Sequence, residues 1–77
     1  MERGGVQTLK AARSARMLTI RTLAARAGVS PHTVHEVETS KRPPRFGTIK
    51  RLSDALGVAP ESVAEFRAVL YGDEEQG

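Results

Sequence analysis

Apolar residues recur at helical spacing along most of the chain, and helix start and stop signals divide them into five segments. The first three segments span about residues 6–16, 19–27 and 31–39, and the last two span about 46–56 and 60–72. No segment alternates apolar and polar residues with a period of two, so we expect no β-sheet. The pattern predicts an all-α fold, a compact bundle of five helices.

The clearest boundary lies between the second and third segments. Gly28 permits a positive φ, Ser30 can cap the next helix at once, and Pro31 suits the first helical position. Thr19 can cap the second segment in the same way. Two short helices joined by so tight a turn must cross steeply, which is the geometry of a helix-turn-helix.

The predicted core consists of the apolar faces of these segments. The residues 41–44 read KRPP, which no helix interior tolerates, and therefore predict a loop. On either side of that loop the predicted core positions are Leu9, Ala12, Leu23, Ala24, Ala27, Val34, Val37, Phe46, Ile49, Leu52, Leu56, Val58, Val63 and Phe66.

Composition narrows the chemistry available to the 77 residues. The chain has no cysteine, so it forms no disulfide framework. Its two histidines, His32 and His35, lie three residues apart on one helical face, a spacing that could serve a metal, but no convincing further ligands accompany them. No credible nucleophile and base pattern is present. We expect no metal, no cofactor and no enzymatic activity.

The charge distribution is uneven. Up to Arg51 the chain carries eleven Lys or Arg against three Glu, a net charge of +8, whereas the remainder carries one Arg against six acidic residues, a net charge of −5. A basic part of this kind suits a polyanionic partner, although a solvated basic surface would look the same.

No apolar run approaches the roughly 20 residues that span a bilayer, so we expect a cytoplasmic protein without membrane contact.

The two ends lack apolar periodicity. We predict a flexible N-terminus over residues 1–5, a single domain over residues 6–71, and a flexible acidic C-terminus over residues 72–77.

The second and third segments read TIRTLAARAGVSPHTVHEVE over residues 19–38. Together with LKAAR at 9–13, Lys41-Arg42, Pro44 and LSDALGV at 52–58, this stretch resembles the Cro and lambda-repressor-like (Cro/C1-type) helix-turn-helix family, also called the xenobiotic-response-element or XRE family. The resemblance covers about residues 9–66. It implies a lambda-repressor-like bundle of five helices whose third helix enters the major groove of double-stranded DNA.

The resemblance also assigns roles to individual residues. It implies base contacts from Pro31, His32, His35 and Glu36 at the exposed start of the third helix. Histidine can donate to guanine, and the Glu36 carboxylate can accept from cytosine N4, whereas Pro31 offers only apolar contact. Contacts to phosphate are implied for Ser30, Thr33, Lys41, Arg42 and Arg45.

Other matched positions have structural meaning. The resemblance implies a partly buried salt bridge between Arg13 and Glu38, which ties the first helix to the end of the third. Met17 stands where the family often has glycine, so a left-handed conformation would strain it. Ile20 replaces a glutamine that contacts DNA in many members.

The end of the fifth segment predicts an interface. Val69, Leu70 and Tyr71 extend past what the core needs, so they can pack against a second copy or simply bury the helix end. We expect a homodimeric transcriptional regulator of prokaryotic or phage type, a nucleoid-associated repressor that binds an inverted repeat. The alternative is an antitoxin or adaptor module whose main role is to bind a partner protein.

Overall fold

Five α-helices form most of residues 5–76, the part of the chain that this computed structural model describes, with side chains described for residues 5–72. In chain order they are α1 (Leu9–Ala15), α2 (Ile20–Ala27), α3 (Pro31–Glu38), α4 (Phe46–Leu56) and α5 (Ala64–Gln76), with a 3-10 turn at Pro60–Ser62 before α5. Over residues 5–76 no strand forms. The predicted all-α fold of five helices is therefore confirmed.

Side-chain caps and left-handed glycines set the helix boundaries. The hydroxyls of Thr8, Thr19 and Ser30 each accept a hydrogen bond from the backbone N–H three residues later, at 3.0, 3.0 and 3.1 Å. Each such cap contributes about 1 kcal/mol. Gly28 ends α2 at φ 75° and Gly57 ends α4 at φ 71°, a left-handed conformation that costs glycine little.

The core lies where α2 packs against both α3 and α4, and α5 closes it with Phe66. Ala24 and Ala27 are small, which allows the α2 backbone to approach its neighbours closely. The buried apolar side chains are those of Leu9, Ala12, Leu23, Ala24, Ala27, Val34, Val37, Ile49, Leu52, Leu56, Val63 and Phe66.

Two predicted core positions differ from this set. The prediction for Phe46 is wrong, because its side chain is 67% exposed. It is the first residue of α4, and helical side chains tilt toward the N-terminus, so its ring lies beyond the edge of the core that Ile49 begins. Val58 is half-buried and packs against the outside of the core.

The segment before α1 is extended rather than helical. Gln7 donates from its N–H to the carbonyl of Ser62 at 2.9 Å, and its own carbonyl accepts from Ala64 at 2.7 Å. The carboxylate of Glu65 then accepts from the N–H of Leu9 at 2.9 Å. These bonds occupy the backbone of residues 7–9, so α1 begins at Leu9 and not at the predicted Val6.

The same pairing shifts the start of the fifth helix. Residues 60–62 form a 3-10 turn and Val63 is extended, so α5 begins at Ala64 rather than at Pro60. At its other end the backbone stays helical to Gln76, past the predicted domain boundary at residue 71. The predicted flexibility of residues 1–4 and of Gly77 concerns positions outside the described part. No helix described here is long and apolar enough to cross a bilayer.

Met17 has φ 57°, in the left-handed region, and its side chain is 93% exposed. That conformation costs a residue with a Cβ about 1–2 kcal/mol, whereas the extra freedom of glycine in the unfolded chain offsets about 0.5–1 kcal/mol.

We expect Met17→Gly to stabilise the fold by about 0.5–1 kcal/mol, measured by urea unfolding. Ala15→Gly, inside α1, is the control and should destabilise; equal losses in both variants would contradict the left-handed assignment.

Candidate nucleic-acid interface

The turn between α2 and α3 fixes how α3 is presented. Gly28 is left-handed, and the next residue, Val29, donates its N–H to the carbonyl of Ala24 at 3.0 Å. Ser30 is extended and caps α3. The guanidinium of Arg51 on α4 donates to the Gly28 carbonyl at 3.1 Å, which anchors the turn to the rest of the domain.

The two faces of α3 have different surroundings. Val34 and Val37 are buried in the core, so the opposite side of the helix faces solvent. Pro31, His32 and His35, three of the predicted base-contacting residues, are exposed. These three residues form a short ridge on the surface at the start of α3, called the exposed ridge below.

Glu36, the fourth predicted base-contacting residue, is in a different situation. Its side chain is only 23% exposed, and its two oxygens lie beside two different cationic or polar groups. One oxygen is 3.2 Å from Nε2 of His32, and the other is 3.9 Å from Nε of Arg42. The carboxylate therefore links α3 to the loop that follows it.

The loop over residues 39–45 carries the predicted phosphate-contacting cations. Lys41, Arg42 and Arg45 are all exposed. Ser40 is left-handed at φ 59°, and the N–H of Lys41 donates to the carbonyl of Glu36 at 3.0 Å, so the loop folds back against the end of α3. Arg45 is the N-cap residue of α4, and that helix end receives no side-chain cap.

The hydroxyl groups predicted to contact phosphate lie at the start of α3. The side-chain oxygens of Ser30 and Thr33 are 2.9 Å apart, and the Ser30 oxygen also accepts from the Thr33 N–H. Thr33 borders a cleft of about 210 Å³ between α3, the loop and the start of α4. The cleft is lined by Thr33, Glu36, Val37, Arg42, Pro43, Pro44, Arg45 and Thr48.

Three features of this region were missed by sequence reasoning. The contact from Arg51 to Gly28 joins residues 23 positions apart, and no local pattern indicates it. The left-handed Ser40 has no glycine or asparagine to signal it. Only the pairing of His32 with Glu36 has a signal in the sequence, because residues four apart are neighbours on a helix surface.

Arg13 and Glu38 lie away from solvent, with side chains 12% and 7% exposed. Nε of Arg13 donates to one carboxylate oxygen at 2.6 Å, Nη2 donates to the other at 3.2 Å, and Nη1 donates to the carbonyl of Leu18 at 2.9 Å. The hydrogen bond to Glu38 raises the pKa of Arg13 above its usual value, against the opposing effect of burial. The pair joins α1 to the end of α3 and keeps both charges out of the exposed ridge.

The two histidines have no metal-site companions among the side chains described. Within residues 5–72, no three His, Asp or Glu side chains gather closely enough to hold a metal ion. The ridge and the loop carry imidazole groups and exposed cations.

Comparison with known families agrees with this geometry. A family model described as a helix-turn-helix domain matches residues 6–66, so the chain belongs to that family. The family is related to the helix-turn-helix domains of the XRE and Cro type. Searches of curated proteins and of solved structures found no significant match. A domain of this family indicates DNA binding by a regulator, and such domains are typically not enzymes.

Arg13→Ala tests the structural role of the buried pair. The substitution leaves Glu38 buried without its main partner, which costs about 3–5 kcal/mol in fully buried pairs, and we expect about 2–4 kcal/mol here because some exposure remains. Chemical unfolding measures the loss. Arg16→Ala removes a neighbouring arginine whose side chain, among residues 5–72, bonds to the carbonyl of Ala12, and it should cost far less. Equal unfolding midpoints for Arg13→Ala and the parent would contradict this role.

Proposed function

We propose that the protein is a prokaryotic or phage transcriptional regulator, a repressor, that binds double-stranded DNA sequence-specifically with α3 in the major groove. One observation carries the proposal: α3 and the cationic loop border the same cleft, through Glu36 on one side and Arg42 and Arg45 on the other. A helix can enter the major groove while neighbouring cations reach the phosphates on its edges.

The proposal divides the surface into two kinds of contact. The exposed ridge of Pro31, His32 and His35 reads base edges, since imidazole nitrogens can donate to guanine acceptors. The hydroxyls and cations around it contact phosphates and set the register of the helix without specifying sequence. These phosphate-contacting residues are Ser30, Thr33, Lys41, Arg42 and Arg45.

Selection of bound sequences from random duplexes, followed by affinity measurements, tests this division. We expect His35→Ala to relax preference at one base pair, a change of about 1–3 kcal/mol in discrimination. Lys41→Gln should weaken binding to all duplexes alike and reduce the slope of log affinity against log salt by about 0.9.

Lys10→Gln provides the matched control, because this exposed lysine lies on α1 outside the cleft. Its salt slope should equal that of the parent. Salt-independent binding by the parent, or a selection that enriches no sequence, would argue against DNA recognition. The second of these results would favour the adaptor or antitoxin role, in which the domain mainly grips a partner protein.

We further propose a homodimer that reads an inverted repeat, with half-sites about one turn of DNA apart. The support is an apolar patch, defined here as Phe46, Val69 and Leu70, together with Tyr71, the next residue of α5, whose ring centroid lies 5.2 Å from the guanidinium carbon of Arg67. Phe46 and Tyr71 are exposed, and Val69 and Leu70 are half-buried. Hollows of about 430 and 360 Å³ lie on the two sides of Phe46, the first lined by Val69 and the second by Leu70.

The position of this patch suits a DNA-bound dimer. Phe46 directly follows Arg45, so a second copy packed on the patch would bring two cationic loops close together. Contiguous exposed apolar patches mark interaction sites in soluble proteins when they are large.

Phe46→Ser tests the dimer. Burial of a Phe side chain contributes about 1.5–3 kcal/mol, so we expect the dimer dissociation constant to rise at least tenfold, measured by analytical ultracentrifugation. Met17→Ser removes another exposed apolar side chain outside the patch and should leave the constant unchanged. A parent protein that stays monomeric at every concentration would rule out this interface.

A further inference from the structure

Glu36 uses both carboxylate oxygens inside the free protein. Oε2 lies 3.2 Å from Nε2 of His32, and Oε1 lies 3.9 Å from Nε of Arg42. The partners are exposed by 76% and 75%, whereas Glu36 is exposed by 23%. Glu36 is therefore the least exposed of the three side chains, and both of its partners are open to solvent.

The backbone fixes Arg42 relative to α3. The carbonyl of Glu36 accepts from the N–H of Lys41 at 3.0 Å, immediately before Arg42. Pro43 and Pro44 follow Arg42, and proline restricts both its own φ and the conformation of the residue before it. With its main chain held on both sides, Arg42 retains freedom mainly in its side chain, whose Nε lies 3.9 Å from the Glu36 carboxylate.

We propose that Glu36 is a positioning residue that holds Arg42 in place for DNA, and that it does not itself read a base. The proposal rests on the proposed function and revises the sequence-based role of Glu36 as an acceptor for cytosine. A preorganised arginine loses less side-chain entropy on binding than one whose side chain rotates freely.

The electrostatics support this role over direct reading. A carboxylate that faces a duplex is repelled by the phosphates, and that repulsion grows as water is excluded. Arg42, with its Nε 3.9 Å away, offsets part of the negative charge of Glu36 before the duplex arrives. To reach a base, the carboxylate would have to leave both partners and emerge from its 23% exposure.

A double-mutant cycle tests the proposal on the full chain. The variants are Glu36→Gln, Arg42→Gln and the pair together, with affinities measured for the selected duplex and for duplexes that change each base pair in turn. We expect Glu36→Gln to leave the ranking of bases unchanged at every position. Its effect on affinity should differ at least threefold between the parent and the Arg42→Gln variant.

Asp54→Asn is the matched control. It removes one carboxylate from an i, i+4 pair with Lys50 on α4, so its charge change equals that of Glu36→Gln. In the Arg42→Gln variant, Glu36→Gln should change affinity no more than Asp54→Asn does. A preference lost at a single base pair, with and without Arg42→Gln, would show that Glu36 reads that base and would overturn the proposal.

A measurement without DNA separates this proposal from the proposed function. We expect the NMR signal of the Arg42 side-chain Nε–H in the free protein to change its chemical shift in Glu36→Gln, and its relaxation to show a more mobile side chain. The shift and the relaxation should stay unchanged in Asp54→Asn. An unchanged signal in Glu36→Gln would overturn the positioning role. A parent that binds no duplex, with the Arg42 signal still dependent on Glu36, would overturn the proposed function instead.

Discussion

The left-handed conformation of Gly28 governs the arrangement of the surface that we assign to DNA. With φ at 75° it ends α2, and two residues later Ser30 caps α3, so the chain has no flexible linker in which the angle between the helices could vary. Arg51 bonds to the same glycine carbonyl and holds the turn to α4. A Cβ at this position would meet strain from the positive φ and a contact of 3.4 Å with the Arg51 guanidinium.

The domain uses its charges in two separate ways. The pair of Arg13 and Glu38 is nearly buried and joins α1 to α3, so its role ends within the fold. The cations of the 39–45 loop are exposed, and one of them, Arg42, lies beside Glu36. Their exposure would allow them to exchange counterions for the phosphates of the proposed DNA partner. Glu36 is intermediate between the buried pair and the exposed cations, because its side chain is partly buried and contacts both His32 on α3 and Arg42 in the loop.

Local signals in the sequence predicted the middle of the fold well. Side-chain caps set the starts of α2 and α3, and left-handed glycines set the ends of α2 and α4. The apolar spacing identified all twelve buried core residues of the described chain and added Phe46 and Val58 to them. The prediction failed where the local structure depends on contacts with residues distant in the chain. The start of α1 depends on pairing with residues 62–65, and the exposure of Phe46 depends on where the packed core ends. The surroundings of Glu36 depend on the path of a loop, which composition cannot fix.

The extended segment before α1 fastens the start of the domain to the start of α5. The amides of Gln7 and Leu9 donate to Ser62 and Glu65, and the second of these bonds spans 56 positions. Such bonds require closure of a long loop, whereas amides within a helix need only local order. In hydrogen–deuterium exchange these two amides would therefore become unprotected when the start of α5 separates from the segment before α1. Their protection would then measure the free energy of that opening rather than the fraying of a single helix.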